Sequence, residues 1–156
     1  MANPQKTADT FGEWIELFNA SDRPIDLKGL VLRHEAADPA AVHVIGTSVV
    51  VAAGGYVVLG KDADIATNGG VVVDYLYPSE IGLTNTGDHV AIELVDGTVV
   101  DETSWTEPAP LGASRSLDPD FLGADTNDDS SHFCAASTLL PQGDHGTPRS
   151  PNDTCP

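Results

Sequence analysis

Basic residues are scarce in this chain. It carries 7 Lys and Arg against 24 Asp and Glu over 156 residues, a formal net charge of −17. No basic residue lies between Arg115 and Arg149. A surface of this sign repels phosphate backbones and anionic lipid headgroups. The composition therefore predicts no direct binding to nucleic acid.

Long apolar runs are also missing. The longest, residues 49–59, is interrupted by Gly54 and Gly55 and is too short to cross a bilayer. The first ten residues contain no apolar segment of the kind that drives secretion. We therefore expect no membrane insertion, and we expect an exported form to carry its signal in a larger precursor.

Cysteine is limited to Cys134 and Cys155. Two cysteines are too few for a structural zinc site. A bridge between them would close a loop of about 20 residues and stabilise the fold by about 3 kcal/mol. We predict this disulfide, and with it an oxidising compartment. The alternative is a pair of buried thiols in a cytosolic protein.

Helical periodicity is absent, since no stretch of about 11 residues or more repeats its apolar positions as a helix does. Short β-rich runs bounded by turns recur instead, which is typical of a sandwich. We predict an all-β fold of about seven to nine strands in two packed sheets, followed by an irregular tail. The expected strands are residues 13–18, residues 25–32 around Gly29, a hairpin of 48–52 with 56–59, residues 71–77, and a hairpin of 89–95 with 98–102 turning at Asp96-Gly97.

The first run has apolar residues in both of its alternating sets, so it is predicted to be covered on both faces. Glu16 lies in the same set as Trp14 and Phe18 and is expected to face inward. A buried carboxylate needs hydrogen-bond partners, and we expect a backbone turn to supply them.

No arrangement of catalytic residues is evident. The segment around Ser114 lacks the closing glycine of a nucleophile elbow, and Asp101 and Glu102 are adjacent on a strand and so face opposite ways. The five histidines form no metal-binding pattern. We therefore predict neither enzymatic activity nor a bound organic cofactor.

Calcium is the one ion for which a candidate site exists. Asp125, Asn127 and Asp129 place oxygen ligands at alternate positions, and Asp118 or Asp120 could complete them. The segment lacks the glycine and the final glutamate of an EF-hand loop. The alternative is an acidic turn whose side chains bond to their own backbone.

Two further features bear on binding. Exposed Trp105 or Tyr77 would suit a stacking platform for a glycan, whereas their burial would favour a spacer. Asn19 and Asn152 each begin a match to the N-glycan acceptor pattern, which matters only in a eukaryotic host.

Several motifs in order resemble the lamin tail domain. Residues 12–19 (GEWIELFN) and 24–32 (PIDLKGLVL) are similar to the opening of that family. Residues 50–60, 83–90 and 96–101 are similar to its later motifs. The resemblance implies an immunoglobulin-like β-sandwich without catalytic activity. It also implies a division into a sandwich at 1–118 and an acidic, irregular extension at 119–156 packed on the same domain.

The resemblance also bears on function. The tail is similar to extensions of extracellular bacterial members, so we expect a non-catalytic interaction or spacer module of a secreted or cell-surface bacterial protein, with a protein or glycan partner. The alternatives are a calcium-assisted carbohydrate-binding or adhesion module and an accessory domain of a secreted nuclease or phosphatase. Residues 1–4 resemble the end of the family's first strand, so we expect an unpaired sheet edge, or one filled by an upstream segment or a neighbouring molecule.

Overall fold

Short strands make up most of the regular structure of this chain. The computed structural model describes residues 1–36 and 40–156. No helix in these residues is long or apolar enough to cross a membrane. The helical elements are α1 (Asp9–Gly12) and two 3-10 turns (Pro119–Phe121 and Ser130–His132). The strands are β1 (Trp14–Phe18), β2 (Ile25–Asp26), β3 (Val31–His34), β4 (Ala41–Val44), β5 (Val50–Val51), β6 (Tyr56–Gly60), β7 (Tyr75–Leu76), β8 (Asp88–Glu93), β9 (Val99–Trp105), β10 (Arg115–Leu117) and β11 (Phe133–Ala135).

Two sheets face each other around the main core. One has the strand order β1-β6-β7 and the other the order β4-β3-β8-β9. Leu32, Ile45, Leu59 and Ile81 between them are at most 1% exposed. Two smaller ladders, β2-β5 and β10-β11, complete the described strands. The predicted immunoglobulin-like sandwich is confirmed, and β10 and β11 add a ladder that the sequence did not indicate.

β1 is covered on both faces, as its two apolar sets predict. Ile15 and Leu17 pack against the main core between the sheets. Trp14 points the other way into a second cluster of buried side chains. That cluster contains Leu140, so the C-terminal part of the chain covers the outer face of the first sheet.

The hairpin of β8 and β9 is also confirmed. Gly97 has a φ of +86°, which glycine adopts without the strain that a side chain would bring. The Asp96 carboxylate accepts the Thr98 N–H at 3.0 Å. The strands stop further from the turn than predicted, because the pairing shifts by one residue between Ile92 and Glu93.

The predicted hairpin of residues 48–52 with 56–59 is wrong. β5 pairs with β2, whereas β6 pairs with β1 and β7. The cause is the buried Asn19, whose amide donates to the carbonyls of Val51 and Ala52 at 3.0 and 3.1 Å. Asn19 also exchanges main-chain bonds with Gly54 and Gly55, both at 2.9 Å. These contacts hold the turn beside β1, so β6 extends along β1 instead of folding back on β5.

Two other predicted strands are shorter or divided. Residues 25–32 form β2 and β3 with a turn between them, in which Gly29 has a φ of +90°. Of residues 71–77, only Tyr75–Leu76 is a strand. The Asn68 side chain bonds both the N–H and the carbonyl of Val71, at 3.0 and 2.8 Å, and so holds the start of that run in a turn.

The C-terminal region contains the predicted disulfide. Cys134 and Cys155 are bonded, with their Cα atoms 5.7 Å apart. Cys134 lies in β11, which pairs with β10. The expected division at residue 118 therefore falls between two strands of one ladder.

Candidate functional site

The three residues predicted to bind calcium do not share a site, and two of them have partners of their own. The Asn127 amide donates to both Asp101 carboxylate oxygens at 3.1 and 3.0 Å. Asp129 accepts the Ser131 N–H at 2.8 Å, and Asp125 is exposed. Residues 1–36 and 40–156 contain no group of three or more His, Cys, Asp or Glu side chains arranged to hold a metal ion. The calcium site stays a prediction.

The two aromatic residues that would suit a glycan platform are not exposed as flat surfaces. Tyr77 is 4% exposed and belongs to the main core. Trp105 is half-buried and packs against the same core. The Arg115 guanidinium lies 5.6 Å from the Trp105 ring centroid and further encloses it.

Both asparagines of the glycan acceptor pattern have occupied amides. Asn19 is 5% exposed and donates to three main-chain carbonyls, including that of Arg23 at 2.8 Å. The Asn152 amide donates to the Leu117 carbonyl at 2.8 Å. In the folded chain, neither nitrogen is free to receive a sugar.

Glu16 has the backbone partner that the sequence predicts. Its carboxylate accepts the main-chain N–H of Arg149, whose guanidinium pairs with Asp74. Burial of the carboxyl raises the pKa of Glu16 to about 7. Glu16 therefore holds the C-terminal segment on the outer face of the first sheet, and it does so partly protonated near neutral pH.

We expect Glu16→Gln to raise the free energy of unfolding at pH 8 by about 1–3 kcal/mol, because glutamine keeps an acceptor for the Arg149 N–H without a buried charge. A carboxyl whose pKa is higher in the folded chain than in the unfolded chain stabilises the fold fully at pH values below its unfolded pKa. That contribution is lost as the pH rises through the folded pKa of about 7. The variant and the wild type should therefore converge near pH 4. Urea titrations at both pH values measure this difference.

The exposed Glu107 provides the matched control, since Glu107→Gln should change stability little at either pH. The Met1 amine, whose charge interacts with that of Glu16, has an opposite pH dependence. Its pKa is lowered to about 5 by burial, so its contribution rises with pH. An equal gain from Glu16→Gln at pH 4 and pH 8 would contradict the titration of Glu16.

The sandwich is open between its two edge strands, β1 and β9. A groove of about 300 Å³ enters there, close to the lower end of the range of about 300–1,000 Å³ typical of ligand sites. Ile15 and Leu17 line it from the first sheet, and Val90 and Ile92 line it from the second. The groove is largely apolar.

Charged groups lie around this apolar interior. The lining residues include three carboxylates, Glu16, Asp101 and Glu102, and one arginine, Arg115. The Arg115 guanidinium lies 3.4 Å from the Phe133 ring centroid and donates to the Ser104 carbonyl at 3.2 Å. Its burial lowers the pKa of Arg115 to about 10. Arg115 thus joins the C-terminal ladder to β9 and forms one wall of the groove.

Within residues 1–36 and 40–156, the outer edge of β1 is paired at its beginning and not beyond. In an antiparallel ladder, alternate residues direct their main-chain groups to the same neighbour. The carbonyl of Glu13 accepts the Lys61 N–H and the N–H of Asn19 donates to Gly55, so the odd-numbered residues between them face β6. Trp14, Glu16 and Phe18 must therefore face away from β6.

Among the described residues, Trp14 alone has a main-chain partner on that side. Met1 donates its amine to the Trp14 carbonyl at 2.9 Å and accepts the Trp14 N–H at 3.1 Å. In the part of the chain that the structure describes, Glu16 and Phe18 have no partner on this edge. A strand edge presents unpaired N–H and C=O groups with which another segment of chain can pair.

The sequence did not reveal this groove, although it indicated part of its cause. The resemblance of residues 1–4 to the end of a strand pointed to an incomplete edge, but not to which strand carries it. The sequence also gave no indication that Arg115 forms a wall of the groove. Its contacts with Thr103 and Ser104 join β10 to β9, and no local pattern shows that these strands meet.

Comparison with known proteins adds one match. A family model described as Lamin Tail Domain matches residues 1–107. The match ends just after β9, so β10, β11 and the disulfide lie outside it. No curated protein matches this chain.

Proposed function

Since this chain belongs to the lamin tail domain family, we propose that it is a non-catalytic interaction module of a larger secreted or cell-surface bacterial protein. Its partner binds in the groove between β1 and β9. The observation that carries this proposal is the apolar groove between β1 and β9. The Cys134–Cys155 bridge supports a place outside the cytoplasm, since disulfides persist in oxidising compartments.

The surroundings of Ser114 and His34 support a role without catalysis. Ser114 is 2% exposed, and its hydroxyl meets that of Ser116 at 2.8 Å. His34 bonds Asp88 at 2.9 Å inside the protein, where His34 is 3% exposed. A nucleophile needs a base within hydrogen-bond reach, and the side-chain partner of Ser114 is a hydroxyl and not a base.

The partner is a peptide or a protein rather than a glycan. Glycan binding commonly uses an exposed aromatic face, whereas Tyr77 is buried and Trp105 is half-buried with its ring beside Arg115. The groove instead offers apolar side chains and main-chain groups, which are the features that peptide-binding domains use.

A binding experiment with two adjacent valines tests this function. Val100 is 48% exposed and lines the groove, whereas Val99 is 47% exposed and does not. Ligands would be selected on the wild-type chain from a display library of random peptides. We expect Val100→Arg to weaken the selected ligands by about tenfold or more, because it places a large charged group at the entrance.

Val99→Arg is the matched control, with the same exposure and the same change in charge. It should leave the affinities within about twofold. Equal affinity for both variants would place the ligands elsewhere and would refute the groove as the interaction site. Circular dichroism of each variant would verify that it is folded.

A further inference from the structure

We propose that a second copy of this chain pairs with the outer edge of β4, so that the four-stranded sheets of the two copies join into one. This edge is separate from the groove, because β4 and β9 lie at opposite edges of the second sheet. Met1 pairs with β1 in the first sheet. The pairing at β4 therefore depends neither on the groove nor on any residues before Met1.

The main-chain groups of β4 alternate between β3 and the outer edge. The N–H and the carbonyl of Ile45 both bond to the turn before β3, each at 2.9 Å. Because alternate residues of an antiparallel strand face the same neighbour, Val42 and Val44 face the other way. As far as the structure describes the chain, neither valine has a main-chain partner on that side.

β4 lacks the features that commonly protect a sheet edge. Lysine, proline or a bulge blocks pairing at such edges. The strand Ala41–Val44 contains neither of these residues and pairs with β3 without a register shift. Its two exposed side chains are apolar, since Val42 is 55% exposed and Val44 is 51% exposed. Such an edge is open to another strand.

The lack of charge on β4 favours a second copy as the partner. The edge strand β1 carries Glu16, and the edge strand β9 carries Asp101 and Glu102. Because β4 has no acidic residue, two copies that meet there place no carboxylates opposite each other in the paired strands.

The net charge of −17 still repels the two copies at long range. Association should therefore strengthen as salt screens this repulsion. A basic partner at the same edge would show the opposite behaviour, because salt would weaken its attraction to the chain. The sign of the salt dependence thus distinguishes the two kinds of partner.

The free main-chain groups select one symmetric register. A two-fold axis through His43 places Val42 of each copy opposite Val44 of the other, so that both outward-facing residues pair. The valine side chains of the two copies then lie side by side on the outer face of the joined sheet. A register shifted towards Gly46 is blocked, since the Gly46 N–H already donates to the Tyr75 hydroxyl at 3.3 Å.

A dimer of this kind keeps both grooves available. β9 is the far edge of each second sheet, so pairing at β4 leaves it uncovered in both copies. Two grooves on one particle would bind a partner with repeated segments more tightly than one groove does, because the second contact forms at a raised effective concentration.

Sedimentation equilibrium of the whole chain tests the pairing with two valines of matched exposure. Val42 and Val72 are both 55% exposed, and Val72 lies outside the strands. We expect Val42→Lys to raise the dissociation constant of the dimer by about tenfold or more, because it places a charged group in the paired edge. Val72→Lys should change it by less than about twofold. Each lysine makes the chain less acidic, so electrostatics alone would favour association of both variants.

Amide hydrogen exchange of the wild-type chain gives a second readout. Raising the protein concentration through the dissociation constant should slow exchange at Val42 and Val44. Ala41 and His43, whose main-chain groups face β3, should change little. Association through side chains alone would not produce this alternation.

Three outcomes would overturn the pairing. The first is a monomer at millimolar concentration and high salt. The second is a dimer that both lysine variants weaken equally, or one that leaves exchange at Val42 and Val44 unchanged, since its contact lies elsewhere. The third is a dimer that dissociates as salt is added, because opposite charges and not neutral edges would then hold it together. Circular dichroism of each variant would verify that it is folded.

Discussion

Lys61→Met is expected to lower the free energy of unfolding by about 3–5 kcal/mol at pH 7, the cost typical of breaking a buried ion pair. The Lys61 ammonium lies 2.7 Å from the Glu13 carboxylate, and their side chains are 11% and 3% exposed. Glu13 also accepts the Leu83 N–H at 3.0 Å. Without Lys61, the Glu13 carboxylate would remain buried beside Leu83 with no lysine to pair with it.

The size of this loss should depend on pH. Burial already raises the pKa of Glu13, and removal of the lysine would raise it further. A protonated Glu13 needs no counter-charge, so the deficit should shrink as the pH falls from 7 towards 4. Urea titrations of the variant and the wild type at the two pH values measure this change.

Two variants isolate the ion pair from general effects of the substitution. The double change Glu13→Gln with Lys61→Met should recover much of the loss, since glutamine can still accept the Leu83 N–H. Lys28→Met alters an exposed lysine and should shift stability by less than about 0.5 kcal/mol. A loss at Lys61 no larger than that at Lys28 would show that the pair contributes little.

The features that the sequence predicts well are those that local chemistry decides. Asp96 and Gly97 supply the side-chain acceptor and the positive φ of their own turn, so the hairpin of β8 and β9 could be read from a few adjacent residues. The two apolar sets of β1 likewise indicated that both of its faces are covered. Neither inference required knowledge of which strand lies alongside.

The features that the sequence missed depend on contacts between distant residues. Asn19 decides that β6 joins β1 and not β5, yet Val51 and Ala52 lie more than 30 residues further along the chain. The pairing of Lys61 with Glu13 and the contact of Arg115 with Ser104 arise in the same way. The groove depends on strand order, because it lies where β1 and β9 become edges, and on the C-terminal ladder that supplies Arg115 to its wall. Local patterns carry no record of that order.

Reduction of the Cys134–Cys155 bridge should lower the melting temperature by about 6–12 °C. The bonded residues are 21 apart in sequence, for which the loop-entropy relation gives about 3 kcal/mol, and a domain of this size loses about 2–4 °C per kcal/mol. The bridge holds the end of the chain against β11, where Asp118 accepts the Cys155 N–H at 2.8 Å.

The loss should extend beyond the tail, because the C-terminal part of the chain covers the sandwich itself. Leu140 packs in the cluster that contains Trp14, and Arg149 bonds Glu16 on the outer face of β1. A loosened tail would expose this apolar surface, so near-ultraviolet circular dichroism of Trp14 and Trp105 should change in the same transition.

The double variant Cys134→Ser with Cys155→Ser should melt like the reduced wild type and should not respond to reductant. An unchanged melting temperature after complete reduction would mean that contacts such as those of Asp153 with Ser137 and Thr138 hold the tail without the bridge.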